Sequence, residues 1–279
     1  MKPRSPHILK RVEVALERPR QGPAILRKVA YSDDPSMRAL LGRTILAEKL
    51  ALRVLSGLAV PRLLAEGGGP SGSVSLARSF VRGHTLDRLV WAPQEAIGLW
   101  LFIVGQLEAF RRRGILCTDL KPANLVGSKR PPAVVFIDLD GAIPLRRSDR
   151  YPASEIRCSP GFVPPEARLR DSLGESAVVF QAGLVLGSLL SRINGVALEM
   201  DRPRALRSVR SRIAGHASGR FAALLEKTLE SSPSRRVPTV AALARAIRRL
   251  GRDAVSAASW SYYERLQRPY ARLAEAFRG

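Results

Sequence analysis

Cysteine is scarce in this sequence, which has only Cys117 and Cys158 among 279 residues. Two cysteines make no disulfide framework, and neither stands in the paired spacing that zinc sites use. We therefore expect two reduced thiols and a fold that depends on neither disulfides nor a structural metal.

Long apolar runs are also missing. No stretch of 18 or more apolar residues is present to span a bilayer, and no apolar segment with a small-residue cleavage site follows the basic residues 1–7. Aromatic residues make up only 6% of the chain, but the hydrophobic fraction of 46% is ordinary for a globular protein. These features predict a cytoplasmic protein with a substantial buried core.

Acidic side chains are outnumbered, since 24 Asp and Glu against 46 Lys and Arg give a formal net charge of +22. A surface of this sign attracts polyanions without selecting one of them. Lysine itself is rare, so most of the positive charge comes from arginine. Two explanations stay open, a compositional bias on a solvated surface and a functional anion-binding face.

The first third of the chain has the pattern of a strand-rich lobe. Apolar and polar residues alternate within residues 8–31 around a turn at 18–23, and this predicts two strands. Helical spacing over 36–58 predicts an amphipathic helix. Alternation over 74–81, after the glycine-rich loop 67–72, predicts a further strand.

The rest of the chain is mainly helical in period. The sequence therefore predicts an α+β fold with two lobes, a small β-rich N-lobe at 1–84 and a larger helical C-lobe at 85–256, followed by a C-terminal helical extension at 257–279. The predicted C-lobe helices cover residues 94–113, 174–192, 203–214, 219–230 and 239–250.

Three oxygen-bearing side chains carry the strongest chemical signal. Asp119 is followed five residues later by Asn124, and the apolar run 134–137 then leads to Asp138. Oxygen ligands at Asn124 and Asp138 suit magnesium on the phosphates of ATP, and Asp119 is placed to orient a hydroxyl and accept its proton. A turn rich in Asp, Pro and Asn would explain Asp119 and Asn124 but not Asp138.

Four segments, in order along the chain, resemble protein kinases, specifically bacterial serine/threonine protein kinases. Residues 117–124, CTDLKPAN, are similar to the catalytic loop HRDLKPxN, and residues 138–140, DLD, are similar to DFG. Residues 159–166, SPGFVPPE, resemble the TPGYxxPE that closes kinase activation segments. Residues 232–239, SPSRRVPT, resemble a DPxxRxx[ST] motif near the end of the fold.

The resemblance implies a two-lobed protein-kinase-like fold and a phosphotransferase that uses ATP and Mg²⁺. Asp119 would be the catalytic base, and Lys121 would steady the transferred phosphoryl group. Asn124 and Asp138 would hold the metal. The acceptor would be a serine or threonine hydroxyl of a protein.

The resemblance extends into the N-lobe through two charged residues. Lys28 is similar to the kinase lysine that contacts the ATP phosphates, and Glu48, on the predicted helix, to the glutamate that pairs with it. Arg27 is the competing candidate because strand register is uncertain by one residue. Lys28 is favoured, since lysine is rare here and a point charge suits a phosphate contact.

Two further contacts are implied by the same resemblance. The adenine base would be held by backbone groups of the segment that joins the lobes, at Ser79, Phe80 and Val81. In the family the arginine of the late motif pairs with the glutamate of the activation segment, so Arg236 is expected to pair with Glu166.

The sequence also departs from the kinase pattern. The Gly-rich loop over the phosphates is absent, and only Gly22 lies in the predicted hairpin, with Arg18 and Arg20 nearby. Thr118 replaces the catalytic-loop arginine, so an activation-segment phosphate would lack its partner, and regulation by that phosphorylation is not expected.

Further departures affect the supports of the catalytic loop. Cys117 replaces the loop's histidine, and Val178 stands where the central C-lobe helix has an aspartate, so both supports are expected to be lost. Asp140 replaces the glycine of DFG, and Gly141 is expected to supply the flexible backbone instead.

Three alternatives to a protein kinase remain open. Triplets such as DLD are similar to those of bacterial sugar kinases and lipopolysaccharide-core kinases, and a basic protein suits an anionic glycolipid. The segment 160–166 favours a protein substrate instead. The missing glycines also allow a pseudokinase that only binds a partner, and the charge alone allows nucleic-acid binding, although no motif for it is present.

Overall fold

The computed structural model describes residues 11–18, 24–31, 34–68, 74–148, 150–152, 155–168 and 172–276. Over these residues the chain has an α+β fold with a small antiparallel sheet at the front and a larger helical part behind. This is the two-lobed kinase-like architecture that the sequence predicted.

The N-lobe is a four-stranded antiparallel sheet in the order β1-β2-β4-β3, with helix α1 packed on it. The predicted hairpin, helix and strand are all present, but β3 was missed because its two final glycines had indicated a loop. The elements are β1 (Arg11–Glu17), β2 (Ile25–Tyr31), α1 (Pro35–Val54), β3 (Leu63–Gly68) and β4 (Val74–Ser79).

The C-lobe contains every helix that the periodicity predicted. Helix α3 is apolar around most of its circumference and lies at the centre of this lobe, where Ala182 accepts a 2.8 Å hydrogen bond from the Trp100 indole on α2. The helices are α2 (Pro93–Arg112), α3 (Ser176–Ser191), α4 (Gly195–Met200), α5 (Arg202–Ile213), α6 (Gly219–Thr228), α7 (Val240–Leu250) and α8 (Ala257–Ala276).

Short strands of the C-lobe fix the positions of the chemically important segments. Strand β6 pairs with β9, which joins the start of the catalytic loop to the segment after Asp138. Strands β7 and β8 form a hairpin, and β5 pairs with β7. The strands are β5 (His84–Thr85), β6 (Ile115–Cys117), β7 (Leu125–Lys129), β8 (Pro132–Phe136), β9 (Ala142–Pro144), β10 (Tyr151–Pro152) and β11 (Ser172–Leu173).

The predicted C-terminal helix is α8, and it packs along α2. The contact is close at Gly98, where an added Cβ would lie 2.7 Å from the carbonyl oxygen of Ser259. Tyr262 and Leu266 of α8 are buried there. The C-terminal extension is therefore part of the C-lobe core.

The two lobes meet through main-chain and side-chain hydrogen bonds. The N–H of Phe136 donates to the carbonyl of Ala59 at 2.8 Å, and Ala59 in turn donates to the Gln106 side chain at 3.2 Å. Within the described ranges, none of the helices is long and apolar enough to cross a membrane.

Candidate functional site

A cavity of about 380 Å³ lies between the sheet, α1 and the segments that precede and follow the β7–β8 hairpin. Its volume is in the range of small-molecule sites. A second opening of about 480 Å³ adjoins it and shares Asp138 and Asp140. The first is lined by Lys28, Glu48, Arg78 and Asn124, and the second by Asp119, Lys121, Arg157 and Ser159.

Lys28 joins the two lobes at the first cavity. Its Nζ lies 2.6 Å from Oε2 of Glu48 and 2.5 Å from Oδ1 of Asp138. Burial opposes the charge on Lys28, but the carboxylates of Glu48 and Asp138 outweigh it and raise the pKa of the ammonium group above its ordinary value. Lys28 is therefore a fixed positive charge in the cavity.

Arg27, the competing candidate, points away from the cavity. Neighbouring residues of a strand face opposite sides of the sheet, so Lys28 and Arg27 cannot both face α1. The Arg27 Nε instead donates to Glu17 Oε1 at 2.6 Å, in a partly exposed pair between β2 and β1. The structure thus places Lys28, and not Arg27, beside Glu48.

Asp119 is held by hydrogen bonds from three sides. Its Oδ1 accepts from the N–H of Ser159 at 2.8 Å, and its Oδ2 accepts from Lys121 Nζ at 2.9 Å and from Asn124 Nδ2 at 3.1 Å. Burial raises the pKa of Asp119, but the hydrogen bonds from Lys121 and Ser159 outweigh burial and lower the pKa overall. Asp119 is therefore a carboxylate at neutral pH and a hydrogen-bond acceptor.

Asp138 has left-handed backbone angles, with φ 58° and ψ 61°. This conformation is uncommon for a residue other than glycine and is maintained only where the surroundings enforce it. Gly141, which was expected to supply a flexible backbone, is not among the residues with positive φ. The space at Gly141 is tight, since an added Cβ would lie 3.1 Å from the Asp119 Cβ.

Asp140 lies between the two openings and forms an ion pair with Arg157. Burial and the neighbouring charge of Asp138 raise the pKa of Asp140 to about 6, although Arg157 opposes this. Asp140 thus adds a third carboxyl group to the second opening, beside Asp119 and Asp138.

Asn124 and Asp138 have the chemistry of a magnesium site with few protein ligands. Asn124 contacts Asp119 only through Nδ2, at 2.9 Å to the main-chain oxygen and 3.1 Å to Oδ2, so its amide oxygen is not used in these bonds. Across the described part of the chain there is no group of three or more His, Cys, Asp or Glu that could hold a metal ion. Two oxygen ligands fit Mg²⁺, which usually takes its other ligands from phosphates and water.

The segment that joins the lobes is only partly as expected. The N–H of Ser79 donates to Arg62 at 2.9 Å, and that of Phe80 donates to Ala24 at 2.8 Å, so neither is available to a base. Of the three predicted residues, Val81 is left as the candidate N–H contact. Ser79, Phe80 and Val81 do not line the cavity described above.

The turn of the predicted hairpin, where the sequence lacks a Gly-rich loop, lies almost entirely outside the described residues. Arg20 and Gly22 are not described, and Arg18 is exposed. The absence of a Gly-rich phosphate loop therefore stays a prediction from the sequence.

Gln181 on α3 supports the catalytic loop, and the sequence interpretation missed it. Its Nε2 donates to the carbonyl of Thr118 at 2.7 Å, and its Oε1 accepts from the N–H of Leu120 at 3.3 Å. Val178 is a buried core residue, and the catalytic loop is supported from Gln181 instead, three residues further along α3. The available signal was that Gln181 is the single polar side chain in the run AVVFQAGLVLG.

Thr118 provides a second support where kinases have arginine. Its hydroxyl donates to the carbonyl of Gly141 at 2.7 Å and accepts from the N–H of Arg157 at 3.2 Å. One threonine thus ties the catalytic loop to the segment after Asp138 and to the activation segment.

Replacing Gln181 by leucine is expected to destabilise the protein by about 2–4 kcal/mol, because the Thr118 carbonyl and the Leu120 N–H would be left buried and unpaired. Chemical denaturation measures this change, and amide hydrogen exchange at Leu120 should become faster. Gln267→Leu, on the half-buried side of α8, is the control and should change stability by less than about 0.5 kcal/mol. An unchanged exchange rate at Leu120 would argue against the support.

The expected ion pair at the end of the activation segment is confirmed. Arg236 donates from Nη1 to Oε1 of Glu166 at 2.6 Å and from Nη2 to Oε2 at 2.9 Å. The Arg236 side chain is 0% exposed. It also donates to three main-chain carbonyls, those of Ser176, Glu230 and Ser231.

The chain is similar over part of its length to plant protein kinases. Calcium-dependent protein kinase 27 of Oryza sativa subsp. japonica is 31% identical over 114 residues, which is 39% of this chain and 18% of that protein. Calcium-dependent protein kinase 2 of Arabidopsis thaliana is 30% identical over 123 residues, 44% of this chain and 18% of that protein. No family model matches the chain.

The chain thus spans about a fifth of the length of the curated relatives it matches. The partial similarity supports a protein-kinase-like relationship. It does not bear on the resemblance to bacterial kinases or to sugar kinases.

Proposed function

We propose that this chain is an ATP- and magnesium-dependent kinase that transfers the γ-phosphoryl group to a serine or threonine hydroxyl of a protein. The observation that carries the proposal is the position of Asp138, which contacts Lys28 in one opening and lines the other opening beside Asp119. Lys28, the proposed phosphate-binding residue, and Asp119, the proposed base, are therefore both close to the Asp138 carboxylate.

Each residue has one task in the proposed reaction. Lys28, held by Glu48, binds the phosphates of ATP, and Asn124 and Asp138 hold the magnesium ion. Bound ATP would supply the phosphoryl group, and the magnesium ion would partly neutralise the negative charge of the phosphates. Asp119 orients the acceptor hydroxyl and accepts its proton, while Lys121 stabilises the charge of the phosphoryl group as it moves.

A protein acceptor is favoured by the activation segment. Glu166 and Arg236 fix its end, and Ser159 at its other side donates through its N–H to Asp119 at 2.8 Å. The segment from 159 to 166 is thus anchored beside the candidate base, where a peptide hydroxyl would enter. The partial similarity to protein kinases supports the same choice.

A sugar hydroxyl of an anionic glycolipid is the second candidate acceptor. Arg157 lines the opening beside Asp119, and Lys121 contributes another positive charge to it. The net charge of +22 would attract such an acceptor to the protein.

The test is transfer of labelled γ-phosphate from ATP, with Mg²⁺ or with EDTA, to three acceptors: a protein mixture, serine- and threonine-containing peptides, and a lipopolysaccharide glycolipid. We expect label on protein and peptide that is lost with EDTA. Label confined to the glycolipid would favour the second candidate. No label, together with no thermal stabilisation by millimolar ATP and Mg²⁺, would favour a pseudokinase.

Lys28→Met is expected to raise the KM for ATP by about 10- to 100-fold, because one charge-assisted hydrogen bond to phosphate is lost. Steady-state kinetics at varied ATP concentration measure the change. Arg27→Met on the opposite face of β2 is the matched control and should leave KM within about twofold. Equal effects of the two substitutions would remove Lys28 from the proposed site.

A further inference from the structure

Arg78 is a buried cation that the proposed mechanism does not use. It lies on β4, where it pairs with Leu26 of β2, two residues from Lys28. Cross-strand partners face the same side of a sheet, and so do residues two apart, so Arg78 and Lys28 both face α1. The residue is only 3% exposed, yet it lines the cavity of about 380 Å³.

Arg78 approaches the same carboxylate as Lys28. Its Nε lies 3.1 Å from Oε1 of Glu48, while Lys28 Nζ lies 2.6 Å from Oε2. Within the described ranges, neither Arg78 Nε nor Glu48 Oε1 has a hydrogen-bond partner, so the two atoms are close without being aligned for a bond. A small rotation of either side chain would align them.

The charges at this place balance only when Arg78 is counted. Arg78 and Lys28 are positive and Glu48 and Asp138 are negative, while Asp140, which also lines the cavity, is paired with Arg157. Without Arg78, the single ammonium group of Lys28 would face the buried carboxylate of Glu48 and the partly exposed carboxylate of Asp138. An anionic ligand would then meet a net negative charge, which repels phosphate.

We infer that Arg78 is a positioning residue for nucleotide binding: it neutralises and holds Glu48, so that Lys28 is available to the phosphates of the ligand. The inference rests on the proposed nucleotide site. When Lys28 turns towards a phosphate, Glu48 loses part of its contact with Lys28, and Arg78 takes over that carboxylate through the bond that is now misaligned. Arg78 itself stays buried and does not touch the ligand.

The test is a double-mutant cycle on Arg78 and Glu48, with ATP affinity measured by titration calorimetry in the presence of Mg²⁺. We expect Arg78→Met to weaken ATP binding by about tenfold, and Arg78→Lys to restore affinity to within about threefold of the wild type. In a Glu48→Gln background the same Arg78→Met change should weaken binding by less than about threefold, because no carboxylate is left to neutralise.

Kinetics supply a second readout. We expect Arg78→Met to raise the KM for ATP with kcat changed less than about threefold, since Arg78 acts on nucleotide binding and not on Asp119. Arg78→Met leaves Glu48 with one cation, so circular dichroism and thermal melting must show that each variant is folded. The double variant Arg78→Met/Glu48→Gln lacks both buried charges. If Arg78→Met alone unfolds, ATP binding by the double variant is compared with that of Glu48→Gln.

The outcomes separate the inference from the proposed function. If wild-type protein binds ATP and Arg78→Met binds it equally well, the inference is wrong and the kinase proposal stands. Equal losses with Arg78→Met and Arg78→Lys, or additive effects with Glu48→Gln, also overturn it, because they indicate packing and not charge. Wild-type protein that does not bind ATP overturns both proposals.

Discussion

Asp119→Ala lowers the rate of phosphoryl transfer by about 10³-fold or more while the protein stays folded; this is the first result we expect. The substitution removes the only acceptor atoms that we assign to the incoming hydroxyl. It also frees Lys121, whose Nζ lies 2.9 Å from the Asp119 carboxylate. The measurement is kcat with labelled ATP at saturating concentrations of both substrates.

Asp119→Asn separates positioning from proton transfer. The amide keeps the shape of the side chain, and its oxygen can still accept from the Ser159 N–H, but its NH2 group can accept neither from Lys121 nor the proton of the hydroxyl. We expect it to be almost as inactive as alanine. Asp253→Ala, at an exposed aspartate before α8, should keep full activity. Activity of Asp119→Asn close to that of the wild type would show that Asp119 is not the base.

The second large effect concerns stability. Arg236→Leu should lower the free energy of unfolding by about 3–5 kcal/mol, because Glu166 would remain buried at 5% exposure without its partner. The three main-chain carbonyls that Arg236 satisfies would also lose their donor. Thermal unfolding should show a decrease of about 6–15 °C in Tm.

Two variants test the cause of that loss. In Arg236→Leu/Glu166→Leu both charges are absent, and much of the stability should return, because no uncompensated carboxylate remains. Arg146→Leu breaks an exposed pair with Glu155 and should cost less than about 1 kcal/mol. A single Arg236→Leu variant as stable as Arg146→Leu would mean that the buried pair adds little to the fold.

The sequence predicted those parts of the structure that depend on neighbouring residues. Helices α2 and α7 were predicted because their apolar residues recur with a helical period over three or more turns. The closeness of the Asp119 and Asn124 side chains was predicted because both residues belong to one short loop. Glu166 and Arg236 are 70 residues apart, and their pairing came from the kinase resemblance and not from spacing.

The parts that were missed depend on contacts between distant segments. Gln181 supports the catalytic loop from 61 residues away, and sequence periodicity says only that α3 is buried. Arg78 lies on a strand whose partner was known only approximately, so its closeness to Glu48 could not be predicted. The left-handed backbone of Asp138 is enforced by its surroundings, so it could not be predicted from the residue type alone.

The packing of α8 along α2 has a practical consequence for anyone who produces this protein. A version that stops near residue 256 would look like a complete kinase domain by motif, since all four motif segments precede that point. It would nevertheless uncover the groove at Gly98 into which the Ser259 backbone fits. We expect such a shortened version to self-associate through the exposed apolar surface, so expression should include α8.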